Sequence, residues 1–172
     1  GCYLFSLNRQ NGDIVWKKKI GKTGGNYKGP RCTPTVESDR VYALGQFGDL
    51  LCCERETGEI VWQKNLVSDF KGRPGGWNYT ESPLVDGEKL ICTPGGKEAT
   101  MLALHKQTGD VLWKGNTEDG ESAAYASPVI AEIGGVRQYV QLLSQGGASF
   151  AAEDGKLLWR YERSAKGSPA VI

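Results

Sequence analysis

Thr57-Gly58-Glu59-Ile60-Val61-Trp62 recurs along the chain with its Gly-x-x-x-Trp frame intact. The other copies are Asn11-Gly12-Asp13-Ile14-Val15-Trp16, Thr108-Gly109-Asp110-Val111-Leu112-Trp113 and Asp154-Gly155-Lys156-Leu157-Leu158-Trp159. The tryptophans stand 46, 51 and 46 residues apart, a period typical of propellers and solenoids, in which each unit needs its neighbours to bury its apolar faces. A second marker keeps step: Thr33-Pro34-Thr35-Val36, Ser82-Pro83-Leu84-Val85, Ser127-Pro128-Val129-Ile130 and Ser168-Pro169-Ala170-Val171. Two markers in phase, built from different residues, exclude chance better than either alone.

Hairpin signals lie between the markers: Ser38-Asp39 before Val41-Tyr42-Ala43-Leu44, Asp86-Gly87 before Lys89-Leu90-Ile91-Cys92, and Gly134-Gly135 before Tyr139-Val140-Gln141-Leu142. Each unit is therefore predicted to hold four short strands. The first follows the proline marker, the second follows the turn, the third ends near Cys53 or Leu104, and the fourth is the Ile-Val-Trp run. Simple alternation in that fourth strand puts Ile60 and Trp62 on one face and Val61 on the other, so both faces read as apolar and both are expected to be covered. Small four-stranded sheets stacked around an axis meet that demand, and they are the blades of a β-propeller. A sandwich of hairpins is the alternative. A helical repeat is disfavoured, because 24 glycines and 7 prolines interrupt every long run.

The expected fold is thus an all-β propeller segment of four-stranded antiparallel blades with tryptophan-docking repeats. Trp16, Trp62, Trp113 and Trp159 are expected to wedge between their own blade and the next, and Gly12, Gly58, Gly109 and Gly155 to supply the positive φ of the hairpin before each. Asn11, Thr57, Thr108 and Asp154, one place earlier, suit the turn because short polar side chains bond their own backbone. At this spacing 172 residues hold about 3.6 units. Residues 1–32 read as the end of one blade plus a crossing, 33–81, 82–126 and 127–167 as complete blades, and 168–172 as the first strand of another. The apolar end faces of such an arc call for cover by remaining blades of the same chain or by a second copy.

Composition narrows the function classes. With 21 basic and 20 acidic residues the net charge is +1, so no long-range field draws nucleic acid or an anionic membrane. No apolar run approaches the length of a transmembrane helix. Cys2, Cys32, Cys52, Cys53 and Cys92 follow no metal-ligand spacing, and no metal site is expected.

Ala103-Leu104-His105-Lys106-Gln107-Thr108-Gly109-Asp110-Val111-Leu112-Trp113 resembles the tryptophan-docking motif of the quinoprotein-like, or pyrroloquinoline quinone (PQQ), repeat family, Ala-x-Asp-x-x-x-Gly-x-x-x-Trp, with His105 at the usual Asp. The segments Gly76-Trp77-Asn78-Tyr79-Thr80-Glu81-Ser82-Pro83 and Thr93-Pro94-Gly95-Gly96-Lys97 are similar to a branch found in planctomycete-type bacteria. The resemblance implies a ring of seven or eight blades and a periplasmic or secreted location. It also implies one of two functions. Some members are PQQ-dependent alcohol or sugar dehydrogenases that hold quinone and calcium over the axis, in some cases against a disulfide between adjacent cysteines. Others, like a lipoprotein of the outer-membrane barrel-assembly machinery, bind partner proteins and hold no cofactor.

The residues favour the second kind. Cys52 and Cys53 are adjacent, but the repeat alignment puts them in strand three pointing to opposite faces, as buried thiols. Glu54, Glu56, Glu59, Asp13 and Asp110 fall in outer hairpins, as solvated charges. His105 is expected to hydrogen-bond its hairpin, with no catalytic partner at a useful spacing. The candidate site comes from topology instead. Each crossing from an outer fourth strand to the next inner strand reaches the same rim of the central funnel. The crossings 27–33, 75–82 and 122–127 carry Arg31, Trp77, Asn78, Tyr79, Glu81 and Tyr125. A guanidinium, a carboxylate and aromatic rings at one opening suit a polar small ligand or a protein partner. The alternative is that Tyr79 and Tyr125 pack the rim while Arg31 pairs with Glu81. In a dehydrogenase, Glu81 or another rim carboxylate would be the base and Asn78 a calcium ligand. The reading is a binding scaffold with no catalytic site discernible and no cofactor evident, the alternative being the quinone enzyme.

Overall fold

The computed structural model describes residues 1–25 and 29–165. Among these, fourteen strands form one two-stranded and three four-stranded antiparallel sheets. The first sheet pairs β1 (Cys2–Leu7) with β2 (Ile14–Gly21). The second runs β3 (Thr35–Glu37), β4 (Arg40–Leu44), β5 (Asp49–Glu54) and β6 (Ile60–Asn65). The third runs β7 (Leu84–Asp86), β8 (Lys89–Cys92), β9 (Met101–His105) and β10 (Val111–Gly115). The fourth runs β11 (Val129–Ile133), β12 (Val136–Leu143), β13 (Gly146–Ala151) and β14 (Leu157–Tyr161), before a 3-10 turn at Glu162–Ala165. Strands are paired in sequence order throughout, the meander of a propeller blade. The fourth Ser-Pro marker and residues 168–172 lie outside the described residues.

The middle strands of the second and third sheets face two neighbours. In β8, Leu90 and Cys92 join Tyr42, Leu44, Leu50, Cys52 and Trp62 of the second sheet, whereas Ile91 joins Tyr139, Leu143, Ala148 and Phe150 of the fourth. In β4 and β5, Val41, Ala43, Leu51 and Cys53 turn instead toward Cys2, Leu4 and Ile20 of the first. Alternation thus feeds a different interface with each successive residue, and both interfaces are built from buried side chains.

The outer strands depart from the expectation of two covered faces. Ile60 and Val61 are 42% and 41% exposed, and Val111 and Leu112 are similar. The cause is a bulge repeated in all four sheets. Cys52 pairs with Trp62 and Cys53 with Ile60, leaving Val61 extra, and Val15, Leu112 and Leu158 are skipped in the same way. The extra residue breaks the two-residue period, so the aliphatic pair stays at the outer rim while the indole alone turns into the interface.

Three of the four repeat indoles dock on the next sheet's hairpin. Trp16 Nε1 donates to the Arg55 carbonyl at 2.9 Å, Trp62 Nε1 to Lys106 at 2.9 Å, and Trp113 Nε1 to Ala152 at 3.3 Å. The ring lies against the hairpin glycine: a Cβ on Gly58, Gly109 or Gly155 would stand 2.7, 2.8 or 2.4 Å from it. Those glycines also take φ of 69°, 75° and 75°, so they serve both the turn and the close approach. Trp62 and Trp113 are each 8% exposed. Trp159 meets no further hairpin among the described residues; it donates to Gln138 of its own sheet and is 37% exposed.

The proline marker does the matching task at the inner edge. Thr33 N donates to Ser82 Oγ at 2.9 Å, and Ser82 N donates to Ser127 Oγ at 2.8 Å. Charges repeat the pattern: Lys106 Nζ reaches Glu37 at 3.1 Å, and Arg137 grips Asp86 through Nε at 2.9 Å and Nη2 at 2.7 Å.

Trp62→Ala and Trp113→Ala are expected to cost about 3 to 5 kcal/mol each, and Trp159→Ala less than about half of that, in urea unfolding followed by circular dichroism. Gly109→Ala should cost more than Gly12→Ala, because both have positive φ but nothing lies within 4 Å of a Cβ at Gly12. Equal costs across either pair would contradict the docking geometry.

Candidate functional site

Outer-to-inner crossings and the loops that join second to third strands emerge on one face, opposite the tryptophan-receiving hairpins. Of the rim candidates, Arg31, Trp77 and Tyr125 come together. Arg31 Nη1 donates to the Trp77 carbonyl. The Trp77 and Tyr125 rings stack with centroids 4.9 Å apart and planes 25° from parallel. Trp77 N points at Tyr125 Oη at 3.3 Å, and Thr80 Oγ1 donates to the Tyr125 carbonyl at 2.8 Å. Trp77 is 53% exposed, so one indole face is pinned from below and the ring is open above. Gly75 fits beneath the stack, where a Cβ would stand 2.8 Å from Tyr125.

Tyr79 and Glu81 correct the expectation, since both are buried and neither opens on the rim. Asn78 is the pivot, with φ of 64°, a left-handed conformation that Asn tolerates better than most residues. The chain reverses there, so Trp77 points outward and Tyr79 inward, its hydroxyl donating to the Pro94 carbonyl at 2.7 Å. Asn78 itself is half-buried.

Glu81 turns to two other elements rather than to Arg31. Its Oε1 accepts from Thr93 N at 2.6 Å and its Oε2 from Gln141 Nε2 at 3.1 Å. Gln141 also reaches Thr93 Oγ1 at 2.7 Å and the Ala126 carbonyl at 3.1 Å. The carboxyl thus ties the second crossing to the end of β8, the third crossing and β12. Burial pushes its pKa up to about 7, against the pull of the two Thr93 hydrogen bonds. Gln46 plays the same role in the preceding blade: fully buried, it donates to the Gly24 carbonyl at 2.8 Å and accepts from Gly29 N at 3.2 Å. Sequence reading passed over Gln46, Thr93 and Gln141, although a glutamine among the apolar residues of Tyr139-Val140-Gln141-Leu142 was the available signal.

His105 departs from its expected role as well. The hairpin is closed by its backbone, with His105 N to Asp110 O at 2.7 Å and Gly109 N to His105 O at 2.8 Å. The imidazole turns toward Glu88, with 4.0 Å between Nε2 and Oε2. The polar residues before the hairpin glycines do bond the turns: Asp13 N reaches Asn11 Oδ1, Glu59 N reaches Thr57 Oγ1, and Lys156 N reaches Asp154 Oδ1.

An axial groove of about 400 Å³ runs along the inner strands, lined by Thr35, Val36, Glu37, Ser82–Val85, Ser127 and Pro128. Its single carboxylate, Glu37, is engaged by Lys106. Cys52 and Cys53 are free, fully buried and turned into different interfaces, and burial pushes the Cys52 thiol up to about 12. The described residues therefore do not fit a quinone held on an adjacent-cysteine disulfide with calcium.

Residues 3–170 match the family described as outer membrane protein assembly factor BamB. The BamB of Escherichia coli (strain K12) is 26% identical over 174 residues, covering 87% of this chain and 40% of that protein. A quinoprotein ethanol dehydrogenase of Pseudomonas aeruginosa is 23% identical over 186 residues, covering 94% of this chain and 29% of that protein. Among solved structures, BamB from Moraxella catarrhalis aligns with a TM-score of 0.67 at 16% identity, over 95% of this chain and 47% of that one. A europium-containing methanol dehydrogenase aligns at 0.70 and 16% identity, over 94% and 38%. The chain spans less than half the length of each of these, and the fold it shares with the two structures is the β-propeller.

Glu81 has a stability signature. Its folded pKa lies above the ordinary 4.5, so its stabilising share is complete below about pH 4.5 and is lost as pH rises through about 7, by up to about 3 kcal/mol. Asp69 and Asp86, held low by hydrogen bonds, act oppositely, with stability lost in stronger acid. Urea midpoints are expected to fall between pH 5 and 8 in the wild type and to stay level in Glu81→Gln; parallel profiles would refute the assignment.

Proposed function

We propose, for a chain that belongs to the outer membrane protein assembly factor BamB family, that this arc belongs to a periplasmic scaffold whose funnel rim holds a polypeptide partner. The observation that carries the reading is the Trp77–Tyr125 stack, an exposed indole supported beneath and held at its carbonyl by Arg31. Large rigid aromatics lose little conformational entropy on binding, which makes them the usual anchors of protein interfaces. The loops that carry it are tied down by Glu81, Gln141 and Thr93, so the platform is preorganised. The relatives from Escherichia coli and Moraxella catarrhalis are by name factors of outer membrane protein assembly, which agrees with a protein partner and with a periplasmic setting.

The apolar end faces fit the same reading. The first sheet exposes Tyr3, Phe5 and Leu7, and the fourth exposes Trp159 and Tyr161, on faces that the inner sheets of the arc cover with a neighbour. Further blades, of the same chain or a second copy, would cover them.

A photo-reactive benzoylphenylalanine replacing Trp77 in the full-length protein is expected to give discrete ultraviolet-dependent polypeptide adducts in cells, absent when it replaces Lys156 in the hairpin of the other face. Addition of PQQ and calcium should leave dye reduction by alcohols and sugars at background. Adducts from neither position, or turnover with the quinone, would overturn the scaffold reading.

A further inference from the structure

Charge and aromatic surface divide the rim into two sectors, with the Trp77 platform between them. On one side, the stretch from Phe70 to Thr80 carries Lys71 and Arg73, both exposed, and no acid. Arg31, also exposed, joins it from the preceding crossing through the Trp77 carbonyl. Two acids neighbour this sector among the described residues. Glu81 is sealed among Thr93 and Gln141. Asp69 accepts from Asn65 N at 2.8 Å and Ser68 Oγ at 2.7 Å, and its carboxylate lies near Lys64 and Lys71. On the other side, past Tyr125, the third crossing carries exposed Glu118 and Asp119, which line a cavity with Glu162 and with a buried Glu121 paired to Arg160.

Resting on the scaffold reading of this rim, we propose that the partner segment is an extended acidic peptide with an aromatic ring, which stacks on Trp77 while its side-chain carboxylates meet Arg31 and Arg73. The ring is required by the geometry, since a flat indole supported from below and half open above offers a face and not a pocket. Guanidinium groups on the same lip add bidentate recognition of carboxylate. An extended chain fits because exposed Gly76 leaves the lip beside the stack without a side chain, so backbone reaches backbone there. The acidic third crossing repels a long polyanion laid across the whole rim, which separates a short acidic segment from nucleic acid.

The test uses labelled peptides of equal length with amidated C-termini, read by fluorescence anisotropy on the full-length protein. One is acidic with a tryptophan or tyrosine, one acidic without a ring, one basic with a ring, and a single-stranded oligonucleotide is the fourth ligand. The acidic aromatic peptide is expected to bind about tenfold more tightly than the other three. The advantage should shrink between about 0.05 and 0.5 M salt. Trp77→Ala and Arg31→Gln should each weaken binding about tenfold, with Trp77→Phe and Arg31→Lys retaining most of it and thermal melts unchanged. Peptide binding at the rim without charge or ring preference would overturn this partner class and leave the scaffold reading standing. Absence of any peptide binding would overturn both, and an oligonucleotide bound as tightly would replace the peptide with nucleic acid.

Discussion

The structure depends on one contact made three times: an indole from one sheet lying on the hairpin glycine of the next, its N–H given to a backbone carbonyl. A four-stranded sheet of this size has two apolar faces and little interior of its own, so it gains stability only against a neighbour. The indole supplies a large buried surface, and its one polar atom is satisfied by a carbonyl that the tight turn leaves free. At the inner edge, the hydroxyls of Ser82 and Ser127 in the Ser-Pro markers accept from the backbone of the preceding blade. The outer contact sets the distance between sheets and the inner one their convergence, so the two repeated markers are the two ends of one interface.

That interface explains why the rim can hold a site. Crossings of more than a dozen residues, rich in glycine, would be mobile as isolated loops. Here they are fastened at buried polar points, with Gln46 under the first and Glu81 with Gln141 under the second. Glu81 is an expensive fastening, because a carboxyl buried with no cation beside it among the described residues resists ionisation. It lies four residues after Trp77 on the same crossing, so the order of that crossing is linked to the protonation of a buried acid.

Much of this architecture was legible in the amino-acid order, and the reason is repetition. Gly12, Gly58, Gly109 and Gly155 share positive φ, and Trp16, Trp62 and Trp113 share an acceptor, because the same hairpin recurs and a recurring solution leaves a recurring spelling. What was not legible breaks the simple period. The bulge at Val15, Val61, Leu112 and Leu158 has no residue signature, since any aliphatic residue satisfies it, and it turned a strand expected to be covered on both faces into one half open to water. At the rim, topology names six candidates but is silent on side-chain direction. Asn78 makes the difference, its left-handed backbone separating an outward Trp77 from an inward Tyr79 two residues later. The glutamines escape a local reading because their partners lie up to 60 residues away.

Hydrogen exchange of the indole protons, followed residue by residue in NMR spectra, tests the docking claim most directly. The account predicts that the Trp62 and Trp113 indole N–H groups exchange only through global unfolding, whereas that of Trp77, exposed on the rim, exchanges at close to the rate of a free indole. Fast exchange at Trp62 and Trp113 under native conditions, with the backbone amides of β5 and β9 still protected, would mean that the sheets hold together without them, and would contradict the account.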